Sequence, residues 1–256
     1  MANENGEWIM HGLDWNSPYR IRTWQELINW INEVGFLPLF ANEVEGFSAE
    51  EHVSPDYWWT GNREQDPWEW REIIAGSHRV AYGKFFDKKA GFISLEWLPF
   101  FVNYRRNGYD FDARWGDGLA NRREKIIMDL LTGRDEDGDV TFPDDEILST
   151  ELKKKAGFGK GGEKNYPGII TGLQMQTYLV ITDFRRRTNK RGEAYGMAVS
   201  IMLPPEAVWG YEKVTTAYNE KPSESWQKIV DRVKELYPDA DEEDIIRLIG
   251  KKPEDS

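Results

Sequence analysis

The sequence predicts an α+β chain whose centre, residues 119–203, is a winged helix-turn-helix. Three observations predict it. Amphipathic helical segments lead into one pair of alternating strands, a glycine-rich turn separates the second and third of those helices, and basic charge gathers on the same stretch. Around this module the pattern predicts an aromatic-rich, mixed helix and hairpin domain over 1–118, with the makings of a second, degenerate winged helix. The module occupies 119–210, and a small helical tail covers 211–256.

The elements follow in order. Thr23 can N-cap TWQELINWINEV with Glu26 three residues on, Leu27, Ile28, Ile31 and Val34 give it an apolar face, and Gly35 stops it. FLPLF, with Pro38, reads as extended, and a short helix capped by Ser48 follows. Asp66 and Pro67 open the helix DPWEWREIIAG. RVAYGKFF and AGFISL are strands around the turn DKKAG, LEWLPFFVNYRRN is a helix with Pro99 near its start, and GYDFDARWGDG is a loop. In the centre, ANRREKIIMDLLTG is the first helix, an acidic loop follows, and Ser149 caps TELKKKAG. GFGKGG is the tight turn and NYPGIITGLQMQ the third helix. TYLVITDFRRR and MAVSIML are the hairpin strands on either side of TNKRGEAYG. SESWQKIVDRVKELY and DEEDIIRLIG make the tail, the second opened by acids that suit its dipole.

Composition narrows the function. The 256 residues carry a net charge of -12, which disfavours nucleic acid over most of the surface. The charge is unevenly placed. Residues 1–118 hold 11 basic and 19 acidic side chains and 211–256 hold 8 and 12, whereas 149–195 holds 10 basic against 4 acidic. An acidic chain with one basic module is expected to meet DNA through that module. There is no Cys and there are only three His, so thiolate chemistry is excluded and a multi-histidine zinc site is not expected. No apolar run approaches the ~20 residues of a membrane span. With no signal-like N-terminus, a cytoplasmic location is expected. No cofactor and no small-molecule ligand are expected.

In a winged helix the third helix enters the major groove and the wing meets the backbone. The expected nucleic-acid contacts are therefore Lys160, Lys164 and Asn165 of the turn and helix start, and Arg185, Arg186, Arg187, Lys190 and Arg191 of the wing. Gln174 and Gln176 on the third helix are further candidates, since amide side chains can read adenine. The competing reading is a solvated charged face on a protein-interaction module. DEDGDVTFPDDE places Asp135, Asp137, Asp139 and Glu146 at calcium-loop positions, but Val140 stands where that loop needs glycine, so no metal is expected. Trp58, Trp59, Trp68, Trp70 and Trp97 could stack on bases, and core packing is the favoured reading of them.

INEVGFLPLF, DPWEWREIIA and the long run STELKKKAGFG…GIITGLQMQTYLVITDF…YGMAVSIMLPPEAVWG carry a family likeness. In order and pattern, over most of residues 20–250, the chain resembles the AlkZ/YcaQ DNA glycosylases, crosslink-repair enzymes built from winged-helix units. It is identified as a shortened, AlkZ-related bacterial member of that group. The resemblance implies DNA repair as a context. It also implies a catalytic Gln-x-Gln or Gln-x-Asp pair after a helix that ends in Gly. The matching stretch here runs from Gly35 to Phe40, with Pro38 and Phe40 where the polar pair belongs. Gln174 and Gln176 match by letters only. Asn42, Glu43 and Glu45 lie just downstream and are the candidates for a replacement. The expectation is DNA binding, extending to damaged DNA, with catalysis unassigned. The alternatives are a glycosylase with a relocated carboxylate and a protein-interaction module.

Overall fold

The computed structural model describes residues 2–4, 7–143, 146–189 and 191–254. Strands β1 (Ala2–Glu4) and β2 (Glu7–Ile9) pair antiparallel ahead of the first helix. Helix α1 (Trp24–Val34) starts where the Thr23 hydroxyl accepts the Glu26 N–H at 3.2 Å. Its buried residues are Leu27, Ile28, Ile31 and Val34, the stripe the sequence spacing predicts. Gly35 ends it at φ 99, a conformation that disfavours any side chain, and an added Cβ would lie 2.7 Å from the Trp97 ring. Gly35→Ala is therefore expected to destabilise the fold by about 1–3 kcal/mol, read from the midpoint of chemical denaturation.

Strand β3 (Phe36–Pro38) continues directly from this turn. Helix α2 (Pro67–Ser77) is capped by fully buried Asp66, whose carboxylate accepts from the backbone N–H groups of Trp59, Gly61 and Trp68. Strands β4 (Val80–Phe86) and β5 (Lys89–Ser94) turn through Asp87 and Lys88, both at positive φ, as a two-residue hairpin of this hand requires. Helix α3 (Leu98–Arg106) follows. The stretch expected as a loop contains a short helix, α4 (Phe111–Gly116), anchored by buried Phe111 against Tyr178.

Helix α5 (Arg122–Leu131) opens with a capping box between Asn121 and Glu124. The acidic loop carries a small hairpin, β6 (Gly133–Arg134) and β7 (Val140–Thr141). Helices α6 (Ser149–Lys155) and α7 (Tyr166–Met175) precede the long hairpin β8 (Val180–Thr188) and β9 (Ala194–Leu203). Ser149 is the first residue of α6 and Leu148 its cap, because Leu148 is held extended by an antiparallel bridge to Ile201. Short α8 (Pro205–Trp209) and α9 (Tyr211–Val214) lead to α10 (Pro222–Leu236) and α11 (Glu242–Ile249).

The main sheet is antiparallel, in the order β3-β5-β4-β8-β9. The pair Tyr82–Ile181 joins the first hairpin to the second, so one sheet runs from the N-terminal part into the centre. Two apolar cores lie against it. The first gathers α1, α2, α3 and β3–β5 together with Val214, Trp226, Ile229, Val233, Ile245 and Leu248. The second gathers Phe111, Ile127, Leu131, Leu152, Leu173, Tyr178 and Met202. The C-terminal helices thus pack on the N-terminal core. Each has a single apolar stripe and needs a partner to cover it. Asn103 on α3 donates to the Ser225 hydroxyl at 3.0 Å, and the Tyr104 hydroxyl donates to the Ile249 carbonyl at 2.9 Å.

A buried polar junction links the two cores. Arg106, at the end of α3, is 3% exposed, pairs with Glu206 of α8, and donates to the Thr177 carbonyl at 2.8 Å. Its guanidinium also lies 4.6 Å from the centre of the Tyr178 ring. Burial lowers the Arg106 pKa, and the Glu206 carboxylate overrides that and holds it above the ordinary value. Nearby, the Tyr211 hydroxyl donates to Asp110 at 2.8 Å. Burial first, and then the bond to Asp110, push Tyr211 up to about 12 from 10.0. A raised phenol stabilises below its unfolded pKa and loses that contribution as pH rises through its folded value. The tyrosinate absorbance difference between the wild type and Tyr211→Phe is therefore expected to develop near pH 12 rather than pH 10.

Candidate nucleic-acid interface

Of the predicted wing arginines, Arg185, Arg186 and Arg187 lie on β8, where side chains alternate across the strand. Together with α6 they border a groove of about 850 Å³. Its lining holds Lys153, Lys154, Arg185, Arg186 and Arg187 against Glu146 and Glu151, a net charge of +3. Both lysines and all three arginines are exposed. The basic side chains do not act alike. Arg185 pairs with Glu146 and binds Asp183 at 2.8 Å, and these carboxylates hold it above the usual arginine value. Arg187 instead lies 5.3 Å over the Tyr195 ring, itself 47% exposed, opposite it on β9.

The turn residues stand beside this groove. Phe158 and Gly159 line it, and exposed Lys160 follows at once. Lys164 is also exposed. Asn165 takes a left-handed conformation at φ 66 as the cap residue of α7, and its amide packs over Gly168, where a Cβ would fall 2.4 Å away. Arg191 is exposed in the hairpin turn, where its N–H donates to Asn189. Lys190 lies outside the described residues.

The third helix does not serve as a reading surface in the way its amides suggest. Gln174 is 2% exposed; it accepts the Lys84 N–H at 2.9 Å and donates to the Ile170 carbonyl. It fastens α7 to β4. Gln176 donates to Glu124 at 3.3 Å. The sequence offers both amides as readers of adenine, and the first hairpin, lying against α7, engages Gln174 instead. Lys153 and Lys154 read in the sequence as the end of a helix, and the fold sets them in the groove lining. A lysine run just ahead of the glycine turn, in an acidic chain, was the available signal.

The segment after α1 is built differently. Leu37 and Leu39 are fully buried, and Phe40 lies 5.5 Å from Trp58 and 6.4 Å from Trp68. Ala41, Asn42, Glu43, Glu45 and Gly46 line a cleft of about 770 Å³ with His11, Glu51, His52 and Lys89. Its polar groups mostly hold backbone. Asn42 donates to the Phe47 carbonyl at 2.7 Å and accepts the Val44 N–H at 3.0 Å. Glu51 accepts from Gly46, and His52 Nε2 donates to the Gly46 carbonyl at 2.8 Å. Buried Glu50 accepts the His11 and Ala41 N–H groups, each at 2.9 Å. Glu43 approaches Arg247 at 3.8 Å, and Glu45 lines the cleft. The cleft follows edge strand β3, whereas the basic groove borders β8 and β9 at the other edge. Four strand spacings, about 19 Å, separate those edges, and the two share no lining residue.

Of the tryptophans, Trp70 and Trp58 are buried at 1% and 6%, Trp68 and Trp97 pack against the first core, and Trp59 is 47% exposed. In the acidic loop, the Asp135 carboxylate accepts the Asp137 and Asp139 N–H groups, closing a turn on itself. Glu146 is held by Arg185. Among the described residues no group of three His, Asp or Glu side chains is placed to hold a metal ion. No helix among them is long and apolar enough to cross a membrane.

A family model described as AlkZ related matches residues 21–250. No curated protein and no solved structure matches the chain.

Proposed function

This chain belongs to the AlkZ-related family, and from that premise we infer that it is a DNA-binding protein which grips the phosphate backbone through the groove between α6 and the β8–β9 hairpin. The carrying observation is the +3 lining of that groove on a chain of net charge -12. In this reading residues 119–203 are a winged helix-turn-helix, with α5, α6 and α7 as its helices and β8–β9 as its wing. The Leu148–Ile201 bridge supports that assignment, since it adds a third backbone segment beside the hairpin.

Lys153, Lys154, Arg186 and Arg187 would neutralise phosphates, with Lys160, Lys164 and Arg191 flanking them. Phosphate contacts fix position and carry no sequence information. The exposed face of α7 offers Pro167 and Gly168 and no charged side chain, so shape and distortion of the duplex, rather than base edges, would decide preference. That suits a protein that meets damaged DNA. The reading assigns no catalytic step to Asn42, Glu43 or Glu45, whose cleft lies by the opposite sheet edge. The test is duplex binding as a function of salt, on intact, nicked and crosslinked DNA. Absence of binding at low salt would sink the reading, and a stable protein partner captured without DNA would favour an interaction module instead.

A further inference from the structure

A second cavity, of about 550 Å³, lies between α4, α5 and the β6–β7 hairpin, away from the basic groove. Its size suits a small organic molecule. Phe111, Met128 and Tyr178 of the second core form part of its wall. The hairpin and the residue after it bring Val140 and Phe142 to the other side. Val140 is 44% exposed, and neither residue belongs to either apolar core. Apolar side chains on and just after a short hairpin, lining a cavity, leave surface that a ligand can cover.

Charge selects among ligands. The lining carries Asp110, Asp112, Asp139 and Glu206 against Arg106 and Arg134. Arg106 pairs with Glu206 and Arg134 pairs with Asp112. That leaves Asp110 and Asp139, a net charge of -2, with no cationic partner within ion-pair distance among the described residues. Asp110 is the cap residue of α4, yet its side chain makes no capping bond there; among the described residues the Tyr211 hydroxyl is the one hydrogen-bond donor to it. An anion would meet like charge. A neutral apolar molecule would strip water from the half-buried Asp110 carboxylate and return nothing to it. A cation with an apolar body meets both demands, and Tyr211 and Phe142 in the lining supply aromatic rings, whose faces favour positive charge; the Tyr178 ring already carries Arg106.

We propose that this cavity binds a small organic cation of the alkylammonium class, held by Asp110 and the surrounding aromatic rings under the β6–β7 hairpin. The site is independent of the DNA-binding groove and is tested without nucleic acid. Choline is titrated into the full chain by calorimetry, beside its neutral carbon isostere 3,3-dimethylbutan-1-ol. Choline is expected to bind saturably, and the isostere about tenfold more weakly, the scale of one partly desolvated cation contact. Asp110→Asn keeps an acceptor for Tyr211 and is expected to weaken choline about tenfold while leaving the isostere unchanged. Should that variant fail to fold, Phe142→Ala, outside both cores, is expected to weaken choline without shifting the melting temperature. Absence of saturable choline binding, equal binding of the two ligands, or choline affinity unchanged in the folded variants would each overturn the proposal.

Discussion

Reversing Lys153, Lys154, Arg186 and Arg187 to glutamate is expected to abolish duplex binding while leaving the melting temperature of the protein within a few degrees. All four side chains are exposed and lie outside both apolar cores, and surface substitutions of this kind change stability little. Their effect on DNA follows from counterion release. Four phosphate contacts predict a log–log salt slope of about -3.6, so affinity falls about a hundredfold between roughly 50 and 200 mM salt. Neutralising one residue at a time is expected to reduce that slope by about 0.9 each. Arg185 sharpens the test. It lies on the same strand, but Glu146 and Asp183 already engage it, so Arg185→Gln is expected to change the slope by clearly less than Arg187→Gln. Equal effects at the two positions would show that the ion pairs do not set which arginines are free for phosphate. A wild-type slope near zero would remove phosphate binding altogether.

Arg106→Met is expected to cause the largest loss of stability, about 3–5 kcal/mol, measured by chemical denaturation and by a large fall in melting temperature. The substitution leaves the Glu206 carboxylate, whose side chain is only 10% exposed, without its partner, and leaves the Thr177 carbonyl without a donor. The position matters because Arg106 ties α3 of the first core to α8 and to the chain just after α7. A double-mutant cycle separates the sources of the loss. Arg106→Met with Glu206→Met is expected to be more stable than Arg106→Met alone, because removing both charges ends the cost of burying one of them unpaired. If the double variant is the less stable of the two, the penalty comes from lost packing rather than from an uncompensated charge.

The individual elements were legible in the sequence to different degrees. α1 carries a capping threonine, an apolar stripe and a terminating glycine, and all three appear where the spacing places them. The hairpin β4–β5 was legible from strand alternation around DKKAG. Helix α4 was not, because Gly, Asp and aromatic residues read as a loop until Phe111 is seen against Tyr178. The role of Gln174 is illegible for the same kind of reason. An amide on a helix is neither exposed nor buried by its sequence, and here strand β4, some 90 positions away, settles the matter. The second cavity left no trace in the sequence either. Its walls come from α4, α5, the β6–β7 hairpin and the start of α9, and only folding brings Asp110 and Phe142 to one space.

The sequence by itself determined the longer helices, the hairpins β4–β5 and β8–β9, and the concentration of basic charge over 149–195, because each is a local property of residue order. Tertiary structure alone decided which of those charges share a groove, and it decided that the Asn42–Glu45 cleft and the basic groove lie by opposite edges of one sheet. It decided too that the C-terminal helices complete the N-terminal core. The physical reason is that strand order and core membership are set by pairings between distant segments, and residue spacing along one segment carries no information about its partner.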